Sequence, residues 1–427
     1  MPRATAVRAT ATNPPSPSPY LPDTWGGIHA FQVFDNQGQY SIPPAQAAQD
    51  GPRYDFVWGV STPQMVAAWR TNNPKLVASY YFPFDADTRT DKYGDLGHDL
   101  AWWLANHPDW VLYECDKTTV AYVGGLKDDV PFDISNPAVV AYQASVLGPY
   151  AQANGYSGLG ADVIALENNT GGEHGGTQGC GIWTTDSHGQ PLWVQKFSGA
   201  QVDPAWAAAA VQWTVTMQQD LHALSPPLSL LGNLDVASHA KSDQIEQTLI
   251  GALDVVFDEA AYTRYGLGYD SDREFNRTVY WAQYAQAHGK GFVVVDVWPP
   301  KTTVTNAQLD YAIATYLMSK EQASDLFTAP FRTYGEEHWY PQYTASVGKP
   351  CAEMYGGPSY EGSGQYVYYR KYTGALAIVN TSATVSYTVA LPKPKYTSII
   401  DGSTVKSPLT IGPDSGAVLM TSAGCSP

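Results

Sequence analysis

Short apolar runs rich in β-branched and aromatic residues recur along the chain, and stretches long enough to form a helix separate them. We count eight such runs. They lie at residues 27–34, 54–60, 75–82, 158–165, 228–235, 253–260, 291–298 and 324–331. Apolar runs of this length are typical of strands that are buried on both faces. Strands that alternate with helices pair in parallel through right-handed crossovers.

The segments between these runs carry helix signals, most clearly at 136–155, 203–224, 273–289 and 306–323. Several begin with Asn or Asp followed by Pro or Ala and end near a Gly. Eight strand–helix units are the number that closes a (β/α)8 TIM barrel, and we predict that fold. An open doubly wound sheet is the alternative, but no glycine-rich phosphate fingerprint follows the first run. We interpret a further run at 110–116 as part of an excursion between the third and fourth strands.

The pattern changes at about residue 360, where short alternating runs follow one another with turn residues and no helical segment between them. This pattern predicts a small antiparallel all-β domain after the barrel. We therefore expect a linker or disordered segment at 1–22, the α/β barrel at 23–355 and the C-terminal antiparallel β-domain at 356–427. The first twenty residues lack the apolar centre of a signal peptide. We expect that a signal peptide has been removed from a secreted protein and a starting Met added.

Composition narrows the possible partners. Aspartate and glutamate number 40 against 24 lysines and arginines, a net charge of -16, which argues against nucleic acid or an anionic membrane as the main partner. No apolar run reaches about 18 residues, so we expect no membrane span. Aromatic residues make up 13% of the chain. They supply flat faces that stack on sugar rings, although they also fill the cores of large domains.

Four scattered cysteines show no CxxC spacing and no histidine partner at the spacing of a zinc site. Cys115 lies in the excursion before the fourth strand and Cys180 in the loop after it. Cys351 lies where the barrel ends, and Cys425 lies near the C terminus. We therefore predict the disulfides Cys115–Cys180 and Cys351–Cys425, in a protein that is secreted or periplasmic.

Active-site residues of a TIM barrel lie where the strands end. Acidic residues recur at these positions: Asp35, Asp85, Asp162, Asp235, Asp258, Glu259 and Asp296. Buried carboxylates are unfavourable unless they are paired or have a use. Each could instead cap the next helix, and that interpretation stays open for Asp35 and Asp235. It fits Asp162 less well, because apolar residues follow it before the loop.

The segment FDISNPAVVAYQASVLGPYAQANGYSGLGAD, residues 132–162, resembles a pattern of TIM-barrel glycoside hydrolases that have a C-terminal β-domain. In that pattern D-x-SNP-x-V opens a helix, and the fourth strand ends in an aspartate. The stretch HWYPQYTASVGKP, 338–350, is similar to the segment with which such barrels leave the last helix. The resemblance extends from about residue 28 to the C terminus. It matches Asp162 to the carboxylate of the fourth strand and Glu259 to an acidic residue of the sixth. Gly160 and Ala161 depart from the pattern, which has bulkier residues there.

Glycoside hydrolysis requires two carboxyl groups that flank the scissile bond. The fourth and sixth strands face one another across a barrel mouth. We assign Asp162 as nucleophile or base and Glu259 as acid, with the adjacent Asp258 as the alternative acid. Further candidates for substrate contact are Phe34, Asp35, Tyr81, Asp116, Glu167, His174, Asn233, Tyr262, Asp296 and Trp298. We expect a monomer that acts on a carbohydrate, with no cofactor and no metal.

Two other functions stay open. The chain could be a carbohydrate-binding protein on a barrel that has lost catalysis. A metal-dependent hydrolase or deacetylase is disfavoured, because the sequence has no HxH or HxxxH pair. The long glycine-rich loop 167–186 is either a binding element at the barrel mouth or a surface excursion.

Overall fold

Eight parallel strands form one sheet in this computed structural model, which describes residues 20–88, 96–123, 129–172, 175–299, 303–422 and 424–425. We number the strands 1 to 8 in chain order: Phe31–Val33, Phe56–Trp58, Val77–Pro83, Gly158–Asp162, Ser229–Asn233, Val255–Asp258, Gly291–Trp298 and Ser324–Pro330. Each strand pairs with its neighbours in the chain. A parallel bridge between Ala30 and Leu326 joins the first strand to the last. The sheet is therefore a barrel, and all eight predicted runs contain a barrel strand.

Side chains alternate along each strand between the barrel interior and the outer layer. In strand 6, Val255 and Phe257 belong to the interior cluster and Val256 to the outer one. In strand 7, Val293, Val295 and Val297 face inward. This alternation decides which strand-end residues can reach the barrel mouth.

Eight helices lie within the described residues: α1 Pro44–Asp50, α2 Pro63–Arg70, α3 Leu100–Asn106, α4 Pro137–Ala153, α5 Pro204–His222, α6 Gln244–Ala252, α7 Asp272–Ala287 and α8 Asn306–Ser319. The predicted cap signals are used. The Asn136 side chain accepts a hydrogen bond from the Ala138 amide at the start of α4, and Pro137 is the first helical residue. Short 3-10 helices are Gly51–Arg53, Arg264–Gly266, Pro341–Thr344 and Tyr360–Gly362. None of the described helices is long and apolar enough to cross a membrane.

Long insertions lie at the mouth of the barrel. A three-stranded antiparallel sheet has the order Pro191–Gln195, Gly179–Thr185 and Tyr113–Glu114. Shorter pairs are Asn36–Gln37 with Tyr40–Ser41, and Ala86–Thr88 with Asp129–Pro131. The disulfide Cys115–Cys180 joins two of the insertions, with a Cα–Cα distance of 5.0 Å. The expected excursion between strands 3 and 4 is confirmed.

The C-terminal part is all-β within the described residues. Its six-stranded antiparallel sheet has the order Tyr355–Gly356, Val367–Lys371, Ala375–Asn380, Ser415–Met420, Lys395–Ser398 and Thr404–Lys406, and Tyr387–Val389 pairs with Leu409–Ile411. This unit packs on α8, where Asp310 accepts a hydrogen bond of 2.8 Å from the Val418 amide. The disulfide Cys351–Cys425 joins the two ends of the unit. Both predicted disulfide pairings are therefore present.

Candidate active site

A cavity of about 1250 Å³ opens at the C-terminal ends of the barrel strands. Its floor contains Trp58 and Phe257, whose rings stack with centroids 4.2 Å apart. Asp162, Asn233 and Glu259 also line it. The volume exceeds the range of roughly 300 to 1,000 Å³ that is usual for a drug-sized ligand, so the cavity has room for more than one sugar ring.

Gly160 explains how strand 4 carries Asp162 into this cavity. A Cβ atom on Gly160 would lie 3.1 Å from the Trp58 ring and from the Ser79 hydroxyl. The glycine lets the indole of strand 2 pack against strand 4 beneath the cavity. Asp162, two residues further along, points to the same side of the strand. The small residue that departs from the family pattern therefore makes room for the cavity floor.

Three donors hold the Asp162 carboxylate. Its Oδ2 accepts a hydrogen bond of 2.6 Å from the Tyr81 hydroxyl. Its Oδ1 accepts one of 2.7 Å from the side-chain amide of Asn233 and one of 3.0 Å from the Val163 backbone amide. Donors to a carboxylate favour its ionised form and fix its orientation.

Asn233 links the two candidate catalytic groups. Its side-chain nitrogen also donates a hydrogen bond of 2.9 Å to Oε2 of Glu259. The two hydrogen bonds, 2.7 Å and 2.9 Å long, leave one amide nitrogen, so the two carboxylate oxygens that they reach lie no more than about 5.6 Å apart. The structure thus brings Asp162 and Glu259 together at the cavity floor.

The two carboxyl groups differ in their electrostatic surroundings. Burial raises the pKa of Glu259 to about 7, and the charge of Asp162 adds to the rise, while Asn233 and Tyr334 oppose it. Burial also raises the pKa of Asp162, but its hydrogen bonds from Tyr81, Asn233 and Val163 oppose that rise. The three donors thus favour the ionised form of Asp162, while the charge of Asp162 favours the protonated form of Glu259.

Asp258, which precedes Glu259 in the sequence, points away from the cavity. It is fully buried, and its Oδ1 accepts a hydrogen bond of 2.9 Å from the Ala261 amide. Asp258 lies outside the cavity lining found among the described residues. Since Val255, Phe257 and Glu259 share one side of the chain, Asp258 falls on the side of the outer layer. Its position separates it from Asp162 and from the cavity.

Three of the predicted substrate contacts lie behind the barrel wall, outside the described cavity lining. Asp296 is out of phase with the inward valines of strand 7, and its Oδ1 accepts a hydrogen bond of 3.2 Å from the Tyr262 amide. Trp298 packs against Tyr311, with ring centroids 5.9 Å apart. Tyr262 itself is fully buried. Strand alternation turns Asp296 and Trp298 away from the mouth, and Tyr262 packs beside them.

The other predicted substrate contacts differ in whether they line the cavity. Phe34, Tyr81, Glu167 and Asn233 line the cavity. Asp35 is buried away from it and accepts hydrogen bonds from the Ser61 amide and the Trp69 indole, which holds the loop after strand 1. Asp116 holds an exposed turn by accepting from Thr118 and Thr119. His174 lies outside the described residues.

The sequence interpretation left Asp235 open as a helix cap and missed several other cavity residues: Trp58, Glu246, Tyr265, Arg332 and Tyr334. Asp235 is in phase with Leu231 and Asn233 of strand 5, so strand alternation was a usable signal for it. Trp58 is likewise in phase with Phe56. Tyr265, Arg332 and Tyr334 lie in the connections after strands 6 and 8, where no periodicity marks which residues turn inward.

Backbone strain also concentrates at this mouth. Phe34, Val163, Tyr265 and Arg332 have φ angles of 53°, 52°, 54° and 61°, in the left-handed region that is unfavourable for residues other than glycine. All four line the cavity. A β-branched residue in this region is rare, and Val163 directly follows Asp162. The strained backbone aims the Val163 amide at the Asp162 carboxylate, 3.0 Å away.

Comparison of the sequence with protein-family models and with curated proteins gives no match. Among solved structures, a noncanonic maltogenic alpha-amylase from Thermotoga neapolitana is 12% identical, over 94% of this chain and 97% of that one, with a TM-score of 0.47. An alpha-amylase from Lactobacillus plantarum is 11% identical, over 91% and 98%, with a TM-score of 0.49. The type III pullulan hydrolase from Thermococcus kodakarensis is 10% identical, over 92% and 75%, with a TM-score of 0.46. At these values, the chemistry has to be argued from the residues of this chain.

Proposed function

We propose that the protein is a retaining glycoside hydrolase that cleaves a poly- or oligosaccharide with Asp162 and Glu259. The observation that carries this proposal is the pair of partly buried carboxyl groups that one Asn233 amide bridges, with the two bonded oxygens no more than about 5.6 Å apart. Retaining glycosidases have a separation of about 5 to 5.5 Å, whereas inverting enzymes leave roughly 6.5 to 9.5 Å for a water molecule. The short separation therefore favours a double displacement.

In the first step, a carboxylate oxygen of Asp162 attacks the anomeric carbon while Glu259 gives its proton to the departing glycosidic oxygen. A glycosyl ester on Asp162 and a free alcohol result. In the second step, Glu259 takes a proton from water while the water oxygen attacks the same carbon and the ester bond to Asp162 breaks. Both carboxyl groups thereby return to their starting states.

The unequal protonation of the pair suits these roles. The nucleophile must be ionised, and three donors favour the ionised form of Asp162. The acid must carry a proton near neutral pH, and the pKa of Glu259 is raised to about 7. Two carboxyl groups whose surroundings separate their pKa values are a recurrent arrangement in this chemistry.

The cavity walls suit a neutral, ring-shaped substrate. Tyr265 is 40% exposed at the rim and presents an aromatic face, and Phe34 and Tyr334 lie deeper. Amide side chains of Gln37, Asn169 and Gln201 add hydrogen-bonding groups of the kind that sugar hydroxyls need. We also propose that residues 23–355 form the catalytic unit and 356–427 the accessory β-domain. The two disulfides favour a secreted or periplasmic location.

A glycan panel separates this proposal from the carbohydrate-binding alternative. Wild type and Asp162→Asn are each incubated with neutral polysaccharides and oligosaccharides, and released reducing ends and binding are both measured. An enzyme releases sugar from at least one glycan, whereas the near-isosteric variant binds that glycan without turnover. If both proteins bind and neither releases sugar, the protein is a binding module. Proton NMR of the first product formed by the wild type then reports retention or inversion.

A further inference from the structure

A second group of ionisable side chains, His29, Asp55 and Asp325, lies at the opposite end of the barrel. A ring nitrogen of His29 and one carboxylate oxygen from each aspartate all lie within 4.8 Å of one another. His29 precedes strand 1, Asp55 directly precedes strand 2, and Asp325 is the second residue of strand 8. The group therefore lies at the N-terminal strand ends, where the barrel closes.

Asp325 is the residue that requires an explanation. It is fully buried, and neither of its carboxylate oxygens has a hydrogen-bond partner among the described residues. A buried carboxylate without a partner is strongly unfavourable, and the nearby carboxylate of Asp55 adds repulsion. Lys320, whose charge also acts on Asp325, donates its ammonium group to the Thr24 carbonyl. A further proton or cation is needed beside Asp325.

The orientation of His29 favours a cation. Its Nε2 lies 2.8 Å from the Gly26 carbonyl oxygen, which can only accept, so Nε2 carries the hydrogen. Nδ1 forms a hydrogen bond with Oδ2 of Asp55, so a proton lies between these two atoms when no metal is bound, and an ion at this position takes the place of that proton. A backbone carbonyl that fixes the far nitrogen of an imidazole in this way is typical of metal-binding histidines.

We propose that His29, Asp55 and Asp325 bind one divalent transition-metal ion of the Zn²⁺ type. The ion neutralises the two carboxylates and supplies the missing partner of Asp325. One nitrogen and two carboxylate oxygens suit Zn²⁺ better than Mg²⁺, which prefers oxygen ligands alone. Ligand atoms bound to Zn²⁺ lie about 3.4 Å apart when each bond is about 2.1 Å long. Side-chain rotations that move the ligand atoms by about 1 Å therefore complete the site. His29 and Asp55 are 26% and 24% exposed, which gives the ion access from solvent.

The position gives the ion a structural role. The Leu326 amide donates a hydrogen bond of 2.9 Å to the His29 carbonyl, and Ala30 bridges Leu326. These contacts close the barrel between strands 8 and 1. Ligands at the N-terminal ends of strands 1, 2 and 8 let the ion hold this closure together, at the face of a TIM barrel that serves stability rather than catalysis. The inference is therefore independent of the proposed hydrolase activity.

Zinc binding to the untagged full-length chain tests the proposal. After treatment with a chelator and dialysis, Zn²⁺ binding is measured by equilibrium dialysis with metal analysis, and Tm is measured with and without Zn²⁺. We expect one Zn²⁺ per chain and a rise in Tm of at least about 2 °C at a hundredfold excess over Kd. Mg²⁺ at the same concentration leaves Tm unchanged. A chain that binds no Zn²⁺ overturns the proposal.

Site variants and a matched control assign the binding to this group. Asp325→Asn and His29→Gln are each expected to weaken Zn²⁺ binding at least about tenfold. The control is His222→Gln, because His222 pairs with Asp254 at 2.8 Å just before strand 6, where Lys290 supplies the counter-charge. It should bind Zn²⁺ as the wild type does. Equal loss in the control, or unchanged binding in both site variants, contradicts the proposal. If the wild type does not bind Zn²⁺ and Asp325→Asn is more stable than the wild type, a shared proton occupies the site instead of a metal ion.

Discussion

The side-chain amide of Asn233 donates a 2.7 Å hydrogen bond to Oδ1 of Asp162. The same nitrogen reaches Glu259, so one residue of strand 5 sets the separation of two carboxyl groups on strand 4 and just after strand 6. A conformational change of this single side chain would alter both pKa values and the distance between the groups.

Tyr81→Phe is expected to shift the acidic limb of the pH–rate profile to higher pH. The change removes the 2.6 Å hydrogen bond to Asp162, which opposes the rise in the pKa of that carboxyl group. A hydrogen bond to a charged group is worth about 1.5 to 3 kcal/mol, or about one pKa unit or more. The measurement is kcat/KM against pH. The control is Tyr156→Phe, whose hydroxyl donates to the Val60 carbonyl, and its acidic limb should not move.

Glu259→Gln is expected to remove the basic limb, which the pKa of about 7 places near neutrality in the wild type. Loss of general acid–base catalysis lowers kcat on a natural glycan by about 10² to 10⁴. An aryl glycoside with a good leaving group needs less protonation, so its first step should be affected less. The control Asp258→Asn should keep the basic limb. A basic limb that survives in Glu259→Gln and disappears in Asp258→Asn would reverse the assignment.

Folding stability is expected to fall between pH 4.5 and 7. Burial raises the pKa values of Asp85, Glu259 and Asp310 to about 7, and that of Asp296 to about 8. A carboxyl group with a raised folded pKa stabilises the fold fully below its unfolded pKa of about 4, and this contribution is lost as pH rises through the folded pKa. Lys320, whose pKa falls to about 7, is charged in both states over most of this window.

Tm measured across this window checks the direction. Asp296→Asn removes one of the four groups and should flatten the decline, while its amide oxygen can still accept from Tyr262. A Tm that rises from pH 4.5 to 7 would contradict the raised pKa values.

The two disulfides are expected to differ in their effect on activity. Cys351 and Cys425 are 74 residues apart, so Cys351→Ser with Cys425→Ser should lower the free energy of unfolding by about 4 kcal/mol in the chain-entropy model. Cys115 and Cys180 are 65 residues apart and predict a similar loss. Only the Cys115–Cys180 disulfide orders the insertions beside the cavity, so the replacement of this pair alone should raise KM. Denaturant unfolding and initial rates, each measured with both double variants, check the comparison. An unchanged KM in both would separate the insertions from substrate binding.

Much of the barrel could be predicted because the sequences of buried parallel strands are continuous apolar runs. All eight runs became barrel strands. The same runs contain a second signal, because side chains alternate between the two sides of a strand with a period of two residues. Val255, Phe257 and Glu259 share one side of the chain at strand 6, which favours Glu259 over Asp258 from the sequence alone. Applied to strand 7, the same rule turns Asp296 away from the mouth.

The remaining site residues could not be predicted, because loops have no such period. Tyr265 and Arg332 turn inward through left-handed backbone conformations that their residue types do not favour. Asp35 follows a strand but is bound by Ser61 and Trp69, residues far from it in the sequence. His29, Asp55 and Asp325 come together only when strand 8 closes on strand 1.

Trapping of the glycosyl-enzyme tests the central claim most directly. A 2-deoxy-2-fluoro glycoside with a good leaving group, made from the sugar that the panel identifies, slows the second step more than it hinders the first. The labelled peptide is then identified by mass spectrometry. The account predicts one fluoroglycosyl group per chain, attached to Asp162 and absent from Asp162→Asn. A label on Glu259 or another residue, or a substrate that is hydrolysed with inversion and leaves no label, would contradict it.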